Sequence, residues 1–77
     1  METDIADVTI HIDETLSRER TDQLCDRVRE LAGVTGVRCA EERPHLLVVE
    51  YEPGLVDSHR LLRRVTTQGV HAQLIGL

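Results

Sequence analysis

The sequence predicts an α+β sandwich: one four-stranded antiparallel sheet with two helices packed on one of its faces. Two observations carry this. Over three short stretches apolar residues alternate with polar ones, the period of half-buried strands, and a fourth, LLVVEY at 46–51, is apolar on both faces over its first half. Between them lie two stretches whose apolar residues recur every three or four positions and stop at glycine, as amphipathic helices do. A chain of 77 residues has room for one such domain, since at this size roughly 60% of the extended-chain surface is buried.

Residues 1–6 are polar and are expected to be a flexible N-terminus to a single domain over 7–77. The first strand is predicted at Asp7–Ile12, where Val8, Ile10 and Ile12 share one face and Thr9 and His11 the other. Ser17 is a fair N-cap for a first helix, which carries Leu24, Val28 and Leu31 at helical spacing before Gly33, and Arg27, Arg29 and Glu30 on its wet side. Two strands follow, over 35–41 and 45–52, joined by a turn containing Arg43 and Pro44. In the first of these Val37 and Cys39 are expected inward and Arg38 and Ala40 outward. In the second, Leu47, Val49 and Tyr51 are the core set, which leaves Leu46 and Val48 on the outer face.

After Pro53 and Gly54, Asp57 is a good N-cap for the second helix, and Val56 before it is placed to pack on Leu61 four positions into it, a hydrophobic staple. Leu61, Leu62 and Val65 form its buried stripe and Gly69 ends it. The last strand, 70–77, turns Val70, Ala72 and Leu74 inward and His71, Gln73 and Ile75 outward. Right-handed crossovers on each half interleave the strands in the order 4-1-3-2, the ferredoxin-like βαββαβ sandwich.

Composition narrows function. The formal charge of −5, with nine Arg and no Lys, argues against nucleic acid as a partner, because phosphate binding needs a concentrated basic surface. Tyr51 is the sole aromatic residue, too few for base stacking. An acidic N-terminus and the lack of any ~20-residue apolar run argue against a signal peptide and a membrane span, so the reading is cytoplasmic. Cys25 and Cys39 are expected to be buried, reduced thiols, being too few and too far apart for a disulfide framework.

The stretches LAGVTGV at 31–37, VVEYEPGLVD at 48–57 and LLRRVTTQGVHAQLI at 61–75 together resemble the heavy-metal-associated domain family, and the resemblance spans nearly the whole chain from Asp7. It implies the same sandwich, and it implies soft-metal binding through a Met-x-Cys-x-x-Cys turn after the first strand. Here the count places Ser17 and Arg20 on the two thiol positions, with Thr15 at the Met and Glu14 at the preceding Gly. A hydroxyl of very high pKa beside a permanent guanidinium charge does not hold a soft cation, so the fold carries over and no thiolate site is expected at this turn.

Other chemistries on this sandwich are weighed by residue type. An acylphosphatase-like site would use Arg18 or Arg20 in the turn, but also an Asn, and the chain contains none. Ser17 reads as a helix cap rather than a nucleophile, and the chain is read as a non-enzyme. An amino-acid-sensing domain of the ACT type has the same order of elements and stays open.

Two functional readings remain. The first is a protein-interaction or assembly module with no cofactor. Its partner is another protein or a second copy of itself, and its surface is the outer sheet face, where Leu46, Val48 and Ile75 gather with Thr9, His11, Ala40 and Gln73. The alternative is a non-thiol binder or carrier of Zn, Ni or Cu ions. It would use His11 and His71 as cross-strand neighbours, His45 at the same end, and Asp13 or Glu14 as a carboxylate ligand. His59 belongs to the opposite end.

Overall fold

The computed structural model describes residues 4–39 and 42–75. Its elements run β1 (Ala6–Ile12), α1 (Arg18–Arg29), β2 (Val34–Cys39), β3 (Leu46–Tyr51), α2 (Ser58–Thr66) and β4 (Ala72–Ile75). The strands form one sheet in the order β2-β3-β1-β4, with every neighbouring pair antiparallel. This is the predicted sandwich. Strand limits differ from the sequence reading by one or two residues; the ends predicted at Ala40, Glu41 and residues 76–77 lie outside the described residues.

Register follows from the apolar alternation. Ile10 pairs with Leu47 on one side and Leu74 on the other, and Val49 faces both Val8 and Val37. A slip of one residue would turn every one of these side chains to water. The helices cover that face, and Leu24, Val28, Leu61 and Val65 meet Ile10, Ile12, Leu47 and Val49 in a single cluster with no buried polar side chain among the described residues.

Caps start the helices where the sequence places them. Ser17 Oγ accepts from the Arg20 N–H at 3.1 Å, and Asp57 Oδ1 accepts from the Arg60 N–H at 2.8 Å, each satisfying an orphan donor of the first turn. Val56 and Leu61 are both buried, as the staple requires. At the far end of α1 the chain turns through Gly33 at φ +99°, and the Gly33 carbonyl then accepts from the Glu52 N–H at 2.8 Å. That bond ties the helix exit to the end of β3.

Candidate functional site

The β1–α1 turn is built into the frame by five residues in and beside it. The Ile12 N–H donates to the His45 carbonyl and the Asp13 N–H to the His71 carbonyl, both at 2.8 Å, so β1 stays paired on both sides as it ends. Glu14 then caps the start of the last segment: its carboxylate accepts from the His71 N–H at 2.8 and 3.0 Å and from His71 Nδ1 at 2.7 Å. Ser17 closes the helix start. Arg20, half-buried, reaches across and donates from Nη2 to the Gln68 carbonyl, just beyond α2. A cation there meets unpaired carbonyls at a helix C-terminus, where positive charge is favoured.

Ser17 and Arg20 are therefore structural at this turn, one as a cap and the other as a strut between the helices. Sequence reasoning identified the cap but missed the strut and the Glu14–His71 contact. Neither has a local sequence signal, because Arg20 and Gln68 are 48 positions apart and Glu14 and His71 are 57 apart.

His11 and His45 are brought together, while His71 lies apart from them. His11 stands opposite Gln73 and Leu46. His71 lies two residues further along, opposite Asp13, and its ring is held by Glu14. His45 does approach His11: the rings stack with centroids 5.9 Å apart, while His45 Nδ1 bonds to the Ile12 carbonyl oxygen at 2.8 Å. His11 Nδ1 is 3.3 Å from Asp13 Oδ1 but out of line for a hydrogen bond, which leaves a charge contact that exists only when the ring is protonated. Among the described residues no group of three His, Cys, Asp or Glu side chains is placed to hold a metal ion.

The two cysteines correct the sequence reading. They are joined as a disulfide, not held as separate thiols. Cys25 is on the inner face of α1, with 3% of its surface exposed, and Cys39 is exposed at the end of β2, an edge strand. Separation in sequence was a poor guide. Both residues have inward parity, on a helix and a strand that pack together, and that topology brings them face to face.

The outer sheet face carries the remaining candidates. Leu46, Val48 and Ile75 line one shallow groove with Thr9, Arg38 and Arg43. At one end of this face Asp7 stands directly opposite Glu50; at the other lie His11, Leu46 and Arg43. Across the middle of the face run Ile75, Thr9, Val48 and Arg38; one end carries two carboxylates, and the other carries Arg43 and the His11–Asp13 contact.

No protein-family model matches the chain, and neither does any curated protein. Solved structures do. Oxidized MerP from Ralstonia metallidurans CH34 superposes with a TM-score of 0.85 at 14% identity, covering 95% of this chain and 100% of that one. The N-terminal domain of a potential copper-translocating P-type ATPase from Bacillus subtilis, in its Cu(I)-loaded state, gives 0.84 at 18% identity, covering 95% and 90%. The yeast copper transporter domain Ccc2A gives 0.80 at 16%, covering 91% and 94%. The chain thus has the fold of the heavy-metal-associated domains, the sandwich its sequence predicts. Among the described residues, no helix is long and apolar enough to cross a membrane.

The Glu14–His71 pair makes this end of the domain pH-sensitive. Its hydrogen bond to Glu14, then the attraction of that carboxylate, holds the His71 pKa above 6.5. The His71 side chain, then its backbone N–H, holds the Glu14 pKa below 4.5. A raised histidine contributes in full below its unfolded pKa, and the contribution is lost as pH rises through the folded value. A lowered carboxyl contributes in full above its unfolded pKa and loses it as pH falls through the folded value. Both contributions are complete between pH 4.5 and 6.5. An NMR titration of the His71 ring should show its midpoint fall when Glu14 is replaced by Gln; an unmoved midpoint would mean that the contact is not made in solution.

Proposed function

We propose that this domain is an assembly module that uses the open face of its sheet to pair with a second copy of itself, and that the β1–α1 turn holds no soft metal. The second half of this reading rests on residue chemistry. Ser17 offers a hydroxyl where thiolate sulfur would be needed, and the Arg20 guanidinium brings a permanent positive charge to the same turn. Neighbours of this fold include a copper-binding domain of a P-type ATPase and the N-terminal domain of a potential copper-translocating P-type ATPase in its Cu(I)-loaded state. This chain shares their fold, and its own β1–α1 turn carries Ser17 and Arg20.

The observation that carries the first half is the charge arrangement at the two ends of this face. Asp7 and Glu50 are directly opposed on adjacent strands, an arrangement that destabilises an isolated sheet. A two-fold axis lying between two such faces and running across the strands sets this acidic end over the partner's His11 and Arg43 end, and does so twice. An axis along the strands would set acid on acid. The end charges favour the first of these two face-to-face dimers, in which Val48 and Ile75 meet their own copies at the centre and Leu46 lies toward the partner's Glu50 end.

Four strands about 4.8 Å apart, of which β2 and β3 are 6 residues long and β4 only 4, give a face of at most roughly 14 Å by 20 Å. Even allowing for side-chain relief that is under about 1,000 Å² in total, the size of a weak, transient contact, so association is expected to be no tighter than micromolar. Sedimentation at high micromolar concentration should show a dimer that weakens with salt. Val48→Glu should disperse it, because two introduced carboxylates face each other near the axis, where like charges cost several kcal/mol. The change should cost the fold less than about 1 kcal/mol, since Val48 points away from the core. A protein that sediments as a monomer at that concentration, or a dimer that the substitution leaves intact, removes the proposal.

A further inference from the structure

The disulfide between Cys25 and Cys39 is asymmetric, and its asymmetry defines a reactive direction. Cys25 is packed in the core cluster beneath α1, whereas Cys39 ends β2 at the open edge of the sheet. Both sulfurs belong to residues lining a surface groove, with Asp22, Asp26 and Arg29 on the helix side and Arg38 on the strand side. Arg29 is already engaged, through Nη1 to Asp26 Oδ1 at 2.8 Å and Nη2 to the Val37 carbonyl at 3.3 Å. The groove has mixed charge and no enclosed pocket, so it suits a small flexible thiol rather than a ligand of one sign.

Thiol–disulfide exchange proceeds by in-line attack: the incoming thiolate approaches the sulfur it will bond from the side opposite the leaving sulfur. Attack on Cys25 would need a path through the core. Attack on Cys39 needs only the solvent beyond the sheet edge. We propose that Cys39 is a site of reversible S-thiolation by a low-molecular-weight thiol, with buried Cys25 as the internal leaving group that reverses it. In the forward step the small thiolate forms a bond to Cys39 Sγ, the bond between Cys39 and Cys25 breaks, and its electron pair leaves on Cys25 Sγ, which takes a proton from water. In the reverse step Cys25 returns its proton to water, and the thiolate so formed re-forms the bond to Cys39 Sγ and expels the small thiolate. No other oxidant or reductant enters either step.

The opened form removes the covalent link between α1 and β2 while the Arg29–Val37 hydrogen bond and the core contacts remain, so that link follows the supply of small thiol. The test uses the full chain in its oxidised form, treated briefly with reduced glutathione, quenched with acid, alkylated and peptide-mapped by mass spectrometry. At early times the glutathione adduct should be on Cys39 and the alkyl group on Cys25, with the reverse arrangement rarer by at least about tenfold. Adducts shared evenly, or favouring Cys25, overturn the assignment, as does a chain whose two cysteines alkylate before any thiol is added. Single-cysteine variants give an independent reading through oxidised glutathione. Cys25→Ser should be glutathionylated at Cys39 at least about tenfold faster than Cys39→Ser is at Cys25. Equal rates, with both variants folded by circular dichroism, would also overturn it.

Discussion

Gly33→Ala should destabilise the domain by about 3 kcal/mol, one of the largest effects available from a single added methyl group. Gly33 has φ +99°, where an L-residue with a side chain is strained by about 1–2 kcal/mol. The added Cβ also has nowhere to go: it would lie 2.7 Å from Val56 Cγ1 and 3.0 Å from Leu55 Cβ. Val56 is 3% exposed and cannot retreat without disturbing Leu61 and the entry to α2. A domain of this length has about 4–12 kcal/mol of stability in total, so the loss is a large fraction of it. Gly54→Ala is the matched control, since its added Cβ would meet nothing within 4 Å and its φ is not positive. Urea unfolding should move the midpoint strongly for the first substitution and hardly for the second. Equal midpoints would mean that the turn at Gly33 is not closed against Val56.

The same position shows why the frame was legible in the sequence. As helix ends and caps, Gly33, Gly69, Ser17 and Asp57 each act on neighbours a few residues away, and the alternation in β1 acts through residues two apart; the close approach of Gly33 to Val56 is the long-range part. Such signals are local and survive in a one-dimensional reading. Sheet order then follows from handedness, and the outward placing of Leu46, Val48 and Ile75 from parity. The fittings of the candidate site are of another kind. Arg20 finds Gln68 only because the start of α1 lies beside the end of α2. Whether His71 meets His11 or Glu14 turns on a register offset of two residues, which parity cannot resolve. The cysteines fall between these cases: their shared inward parity pointed to contact, but distance along the chain argued against it.

Leu61→Ala should cost about 2–5 kcal/mol, the range for emptying a leucine site that cannot collapse. Leu61 is fully buried, and its neighbours in the core come from both layers, so no single element can move in to fill the space. It is also the inner half of the staple with Val56, which sets the angle at which the chain enters α2. Leu55, 62% exposed on the same approach, removes the same atoms from water-facing surface when changed to Ala and should shift stability by less than about 0.5 kcal/mol. The consequence reaches the candidate site, because the segment after α2 supplies both the Gln68 carbonyl that holds Arg20 and the His71 groups that hold Glu14. Loosening α2 should therefore speed amide exchange at His71 and Arg20 more than at Val49, in the middle of β3, which is fully buried between two neighbouring strands. Denaturant unfolding measures the first effect and hydrogen exchange the second. If the two leucine variants unfold at the same denaturant concentration, α2 does not pack its Leu61 face on the sheet. If exchange rises equally at all three amides, the β1–α1 turn is not coupled to α2 and the Arg20 strut has no structural role.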